Sequence, residues 1–181
     1  MSSKLSAYNI FLHVALVALA TLTLVLAAEN RALKKPTPTP ANGPDLGQSV
    51  GELAWSPLDT PETTTQLADA GKESLLFIFT TDCAACQATQ PVWKTLHQTM
   101  GDSVNVIGIS LSDADPTRTY RNTHSLPFPV GLPADTAAFM ESFAVTGVPL
   151  TVRVGANGRV VGTWSGTLSE GQRSEIAATI G

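Results

Sequence analysis

The sequence predicts an α/β domain, a central mixed β-sheet flanked by helices, behind an N-terminal apolar helix. Three observations carry this expectation. Two apolar-rich runs, Leu75–Phe79 and Val104–Ile109, have the composition of strands buried on both faces. A helical stretch, Ala84–Met100, lies between them and gives the strand–helix–strand order of a parallel pair. Ala156-Asn157-Gly158, between two further strand-like runs, is a hairpin signal, because Asn-Gly tolerates positive φ at both central turn positions.

The elements follow in chain order. Leu53–Trp55 reads as a short edge strand and Thr63–Ala70 as a modest helix. Leu75–Phe79 is the first buried strand. The helix Ala84–Met100 contains Pro91, which predicts a kink, and Gly101-Asp102 ends it. Val104–Ile109 is the second buried strand. Asp115–Asn122 reads as a short helix with Asp115 as its N-cap and Pro116 at its first position. Thr136–Phe143 is another, started by Asp135. Leu150–Val154 and Arg159–Trp164 are the hairpin strands, and Ser169 caps a closing helix to Ile180.

With 181 residues and 43% hydrophobic content, the chain has material for one core and a short appendage. Residues 47–181 hold all but two of the 15 acidic residues and all but four of the 11 basic ones, so the domain is net acidic. No basic patch marks it for nucleic acid. Ile10–Ala28 is an apolar run of about 19 residues, about 28 Å of helix, close to a bilayer's hydrocarbon thickness. Cleaved signals usually have shorter apolar regions, so an uncleaved single-pass anchor is the expectation. His13, near the start of the run, lies within reach of the interface.

Pro36-Thr37-Pro38-Thr39-Pro40 and Ala41-Asn42-Gly43-Pro44 exclude helix and predict a semi-rigid spacer at about 3 Å per residue. The organisation is thus a tail at 1–9, an anchor at 10–28, a juxtamembrane and Pro-rich linker at 29–46, and a domain at 47–181. Counting the flanking Lys4, Arg31, Lys34 and Lys35 alone would keep the domain inside the cell. An N-terminal single anchor ahead of a dithiol domain points outward. The expectation is therefore an inner (cytoplasmic) membrane protein with its C-terminal domain in the periplasm or equivalent space.

The two cysteines, Cys83 and Cys86, form a C-x-x-C pair directly after a buried strand and at the start of a helix. A bridge over two residues constrains the unfolded chain only slightly, so the pair is chemical rather than structural. At a helix N-terminus, unpaired amides and the helix dipole stabilise a thiolate, which makes Cys83 the nucleophile and Cys86 the resolving thiol. A zinc site needs more ligands than one such pair, and His97 lies three turns away along the same helix. Haem attachment would need His after Cys86, where Gln87 stands. Thr80, three residues before Cys83, is the one hook for a thiol-peroxidase reading. A copper-handling or assembly role would need a further ligand such as His124. Neither metal nor cofactor is expected.

Two stretches, LLFIFTTDCAACQATQPVWKTL and FAVTGVPLTVRVGANGRVVGTWSG, resemble the thioredoxin-like superfamily, specifically its anchored TlpA/ResA-type thiol–disulfide oxidoreductases. The likeness covers most of residues 50–181. It implies a thioredoxin-like fold and disulfide exchange with extracytoplasmic protein thiols through Cys83 and Cys86. It also implies an upstream membrane electron donor. It makes Pro149 a cis-proline beside the dithiol and gives Val148 a backbone role in substrate binding. The sequence departs from that pattern in three places. Asp82 stands where an aromatic residue usually precedes the first cysteine. Thr89 stands where the reducing branch often has a carboxylate. The strand Leu75–Phe79 carries no acid, so no internal base for Cys86 is evident.

Overall fold

The computed structural model describes residues 13–26, 42–50, 52–67 and 71–178. The chain divides into two compact units, Met1–Pro40 and Ala41–Gly181. In the first, residues 13–26 are helical. The expected anchor, Ile10–Ala28, extends past the described residues at both ends. Among the described residues, no helix is long and apolar enough to cross a membrane. Thr21 and Thr23 return their hydroxyls to carbonyls of the preceding turn, at 2.8–3.0 Å.

The second unit is built on a seven-stranded mixed sheet. Its strands are β1 (Ala54–Pro57), β2 (Thr65–Gln66), β3 (Ser74–Phe79), β4 (Asn105–Ser110), β5 (Val130–Pro133), β6 (Leu150–Val154) and β7 (Val160–Ser165). The helices are α1 (Ala84–Met100), α2 (Ala114–His124), α3 (Thr136–Ser142) and α4 (Glu170–Ala178). The strand order is β2-β1-β5-β4-β3-β6-β7. β3, β4 and β5 run parallel, while the remaining pairs are antiparallel.

The period-two alternation of β3 splits the core. Leu75, Phe77 and Phe79 face a cluster with Trp93, Leu96, Tyr120, Phe128 and Ile176. Leu76 and Ile78 face the opposite cluster, with Ile109, Phe139, Phe143 and Val152. Phe77 stacks on Trp93 with ring centroids 5.0 Å apart, which pins α1 across the sheet. Because β3 is covered on both sides, its residues are all buried, as the uninterrupted run requires.

Most elements stand where the sequence puts them. The α1 bounds agree, Pro91 lies inside that helix, and the Gly101 N–H closes it on the His97 carbonyl. Asp135 caps α3 through the Ala138 N–H. Ser169, just before α4, and Gln172, in its first turn, bond each other's backbone amides as a reciprocal capping box. The β6–β7 turn has Gly158 at φ 74°, with the Gly155 amide on the Arg159 carbonyl at 2.8 Å.

Two local expectations are corrected. Thr63–Ala70 is not a helix where it is described. Thr65 and Gln66 pair with β1, and the Leu67 amide donates to the Leu53 carbonyl. The threonine-rich stretch gains sheet hydrogen bonds there, and residues 68–70 lie outside the described set. The α2 N-cap is Asp113 rather than Asp115, which sits in the first turn and pairs with Arg118 at 2.9 Å. Pro116 then occupies the third helical position, still among the amides that have no intrahelical partner. Strand β5 stands in a stretch where the sequence predicts no element. The second compact unit spans Ala41–Gly181; within it Gly43 and Pro44 are buried, and the Gly43 amide bonds the Ala144 carbonyl.

Candidate active site

The site forms where β3 ends and α1 begins. Thr80–Asp82 carries the chain over the sheet edge, and Cys83 is the N-cap of α1 in extended geometry. A chain of hydroxyls fixes that approach. Ser112 Oγ accepts from the Thr81 amide at 3.1 Å and bonds Thr81 Oγ1 at 3.2 Å. Ser110 Oγ, buried, accepts from the Ser112 amide and lies 2.7 Å from Thr117 Oγ1. These residues tie the loop after β3 to the loop after β4. Sequence reasoning missed them, because scattered Ser and Thr carry no spacing signal.

Cys83 and Cys86 are disulfide-bonded, with Cα atoms 5.2 Å apart. The Cys86 amide donates to Cys83 Sγ at 3.0 Å. That is the helix N-terminal donor expected to favour a thiolate in the reduced state. The two sulfurs differ in access. Cys83 is half-buried, and Cys86 is completely buried among the residues that pack under α1. The expected order of attack follows from that asymmetry: an incoming sulfur meets Cys83 first.

Val148–Pro149 is a cis peptide bond. The Val148 carbonyl oxygen lies 3.7 Å from Cys83 Sγ, so the structure brings all four sequence-chosen residues together. The Pro149 carbonyl accepts from the Gly166 amide at 2.8 Å. Val148 donates no backbone hydrogen bond within the described residues.

The departures noted in the sequence keep their meaning in space. Thr89 is buried and gives its hydroxyl to the Ala85 carbonyl at 2.9 Å, so no carboxylate stands at that position. Asp82 is exposed beside Cys83. Below the site, Tyr120 stacks on Phe79, and Gln90 donates to its phenol oxygen. Burial pushes the Tyr120 phenol above its ordinary 10.0, with the Gln90 bond acting in the opposite sense. His97, on the last turn of α1, packs edge-on to Phe128, and His124 packs against Tyr120. Among the described residues, no group of three or more His, Cys, Asp or Glu is placed to hold a metal ion.

No family model matches the sequence, and no curated protein matches it. Solved structures do. The thioredoxin domain of a thiol–disulfide oxidoreductase from Bacteroides vulgatus superposes with a TM-score of 0.66 at 16% identity, over 76% of this chain and 99% of that one. A thiol:disulfide interchange protein of the thioredoxin family from Chlorobium tepidum gives 0.61 at 19% identity, over 75% and 97%. A secreted Mycobacterium tuberculosis disulfide oxidoreductase homologous to Escherichia coli DsbE gives 0.56 at 19%, over 70% and 95%. At these identities the likeness speaks for architecture, and with the sheet order and the dithiol at the head of α1 it leads to one statement: this chain has a thioredoxin-like fold.

Proposed function

We propose that the chain is a thiol–disulfide oxidoreductase that exchanges disulfides with extracytoplasmic protein substrates through Cys83 and Cys86. The observation that carries the reading is the pairing of a half-buried sulfur at a helix N-terminus with a fully buried one a turn below, beside a cis-proline. In the reducing direction the Cys83 thiolate attacks a substrate disulfide. A Cys83–substrate disulfide forms and one substrate thiolate leaves. Cys86, deprotonated, then attacks Cys83 Sγ. The second substrate thiolate leaves, and two electrons have passed from the dithiol to the substrate. An upstream membrane dithiol donor would restore the reduced pair. The reverse sequence oxidises a substrate dithiol.

The TlpA/ResA-type assignment and the membrane tether belong to this proposal. They rest on the apolar segment around 13–26, whose threonine hydroxyls are satisfied within the helix, and on the Pro-rich segment that follows it. The C-terminal domain then works in the periplasm or its equivalent, where disulfide chemistry is sustained.

Trapping tests the central claim. With Cys86→Ser, the Cys83–substrate disulfide is not resolved, so adducts accumulate that vanish on reduction and are missing when Cys83 is also replaced by Ser. An absence of adducts, together with unaltered substrate redox states in cells, sinks the proposal. The direction of flow is read from the Cys83–Cys86 reduction potential: near about −270 mV for a reductant and near about −120 mV for an oxidant.

A further inference from the structure

The residue that enters the domain just after the Pro-rich segment is bound to the turn that precedes Pro149. Asn42 Oδ1 accepts from the Thr146 amide at 2.8 Å, the Gly147 amide at 3.1 Å and Thr146 Oγ1 at 3.2 Å. Asn42 Nδ2 donates to the Gly147 carbonyl at 2.9 Å and to Ser165 Oγ at 2.7 Å. One side chain therefore occupies both backbone polar groups of Gly147 and reaches the end of β7. Its neighbours seat it. The Gly43 amide bonds the Ala144 carbonyl, and the Pro44 carbonyl accepts from Thr163 Oγ1 at 3.0 Å. Gly43 is at φ 114°, and a Cβ there would lie 2.4 Å from Thr163 Cγ2, so only glycine lets the chain pass this close.

The consequence falls on the next residue. With Gly147 held on one side and the Pro149 carbonyl held by Gly166 on the other, Val148 is suspended between two fixed points. Its amide has no partner among the described residues, and its carbonyl lies 3.7 Å from Cys83 Sγ. A backbone amide and carbonyl fixed beside the attacking sulfur are what an extended peptide needs in order to pair as a strand and present its own cysteine.

We infer that Asn42 is a positioning residue: it holds the Thr146–Gly147 turn so that the Val148 backbone can pair with an extended substrate. It touches neither sulfur. The inference rests on the oxidoreductase reading and extends it to substrate registration. Its chemistry requires a protein or peptide disulfide; a small disulfide or dithiol reagent that makes no backbone pairing would not register the loss of Asn42.

The experiment uses the full chain, wild type and Asn42→Ala, with two readouts. The first is reduction of the Cys83–Cys86 disulfide by dithiothreitol. The second is kcat and KM for disulfide exchange with an extended peptide disulfide. The dithiothreitol rate is expected within twofold of wild type, while KM for the peptide rises about tenfold, the loss of one well-placed hydrogen bond, with kcat little changed. If Asn42→Ala fails to fold, Asn42→Asp replaces it. That variant keeps the acceptor side and loses the donors to Gly147 and Ser165, and its KM is expected between the two. An active wild type whose variant has the same KM overturns this inference alone. So does a parallel fall in both rates, which marks a structural role only. A wild type that cannot exchange with the peptide at all removes the oxidoreductase reading, and this inference with it.

Discussion

Asp82 stands beside a sulfur that must become an anion, and its exposed carboxylate opposes that charge. Asp82→Asn is therefore expected to move the pH midpoint of Cys83 alkylation in the reduced protein to lower pH. An unchanged midpoint would mean that water screens Asp82 completely. Tyr120 offers a second pH test. Its phenol is held above 10.0 in the folded state by burial. The unfolded chain therefore releases this proton first, and stability falls as pH rises from about 10 towards the folded value. Tyr120→Phe strands the buried Gln90 amide at neutral pH, for about 1–3 kcal/mol by urea unfolding. That difference narrows above pH 10, because the variant has no phenol to lose. A difference that stays constant with pH would refute the assignment. At this scale the dithiol was legible from spacing and context, and Pro149 and Val148 from resemblance. Asn42 was not. An asparagine among prolines and glycines reads as turn chemistry, and its partners lie more than a hundred residues on, where no local pattern reports them.

Strand β5 shows why an element can be real yet invisible. Val130-Gly131-Leu132-Pro133 carries a glycine and a proline, both of which argue against a strand. The structure explains the glycine. A Cβ at Gly131 would lie 2.3 Å from the Ser56 carbonyl oxygen and 2.6 Å from the Trp55 ring, where β1 pairs antiparallel alongside it. Gly131→Ala is thus expected to cost about 1–3 kcal/mol in equilibrium unfolding, by forcing β1 off β5. Wild-type stability in that variant would mean that β1 adjusts without loss. The misread β2 has the opposite cause. Its short threonine segment has no strong helical face, and pairing with β1 decides its state. The long elements, β3 and α1, were legible because composition and punctuation agree: β3 is an uninterrupted apolar run, and Cys83 and Gly101 stand at the two ends of α1.

For the molecule as a whole, composition and packing divide the chain at different points. Proline content predicts a linker over 29–46, while the compact unit takes in Asn42, Gly43 and Pro44. A chain beginning at Ala41 is expected to unfold in one transition. A chain beginning at Gly47 loses the seven hydrogen bonds of Asn42, Gly43 and Pro44 and is expected to be weaker by about 2–4 kcal/mol, at roughly 0.5 kcal/mol net for each of these partly exposed bonds. Its thermal midpoint should fall by several degrees, on the order of 5–15 °C. Equal midpoints for the two chains would show that residues 42–46 only decorate the domain.

The unequal burial of Cys83 and Cys86 also makes the chain a gate for reagents by size. A bulky maleimide added to the reduced protein should mark one thiol at once and the other only when the fold opens. Mass spectrometry would then record a single adduct long before a double one. The delay between them clocks the opening of the ground beneath α1, reported by the molecule's own pair of sulfurs.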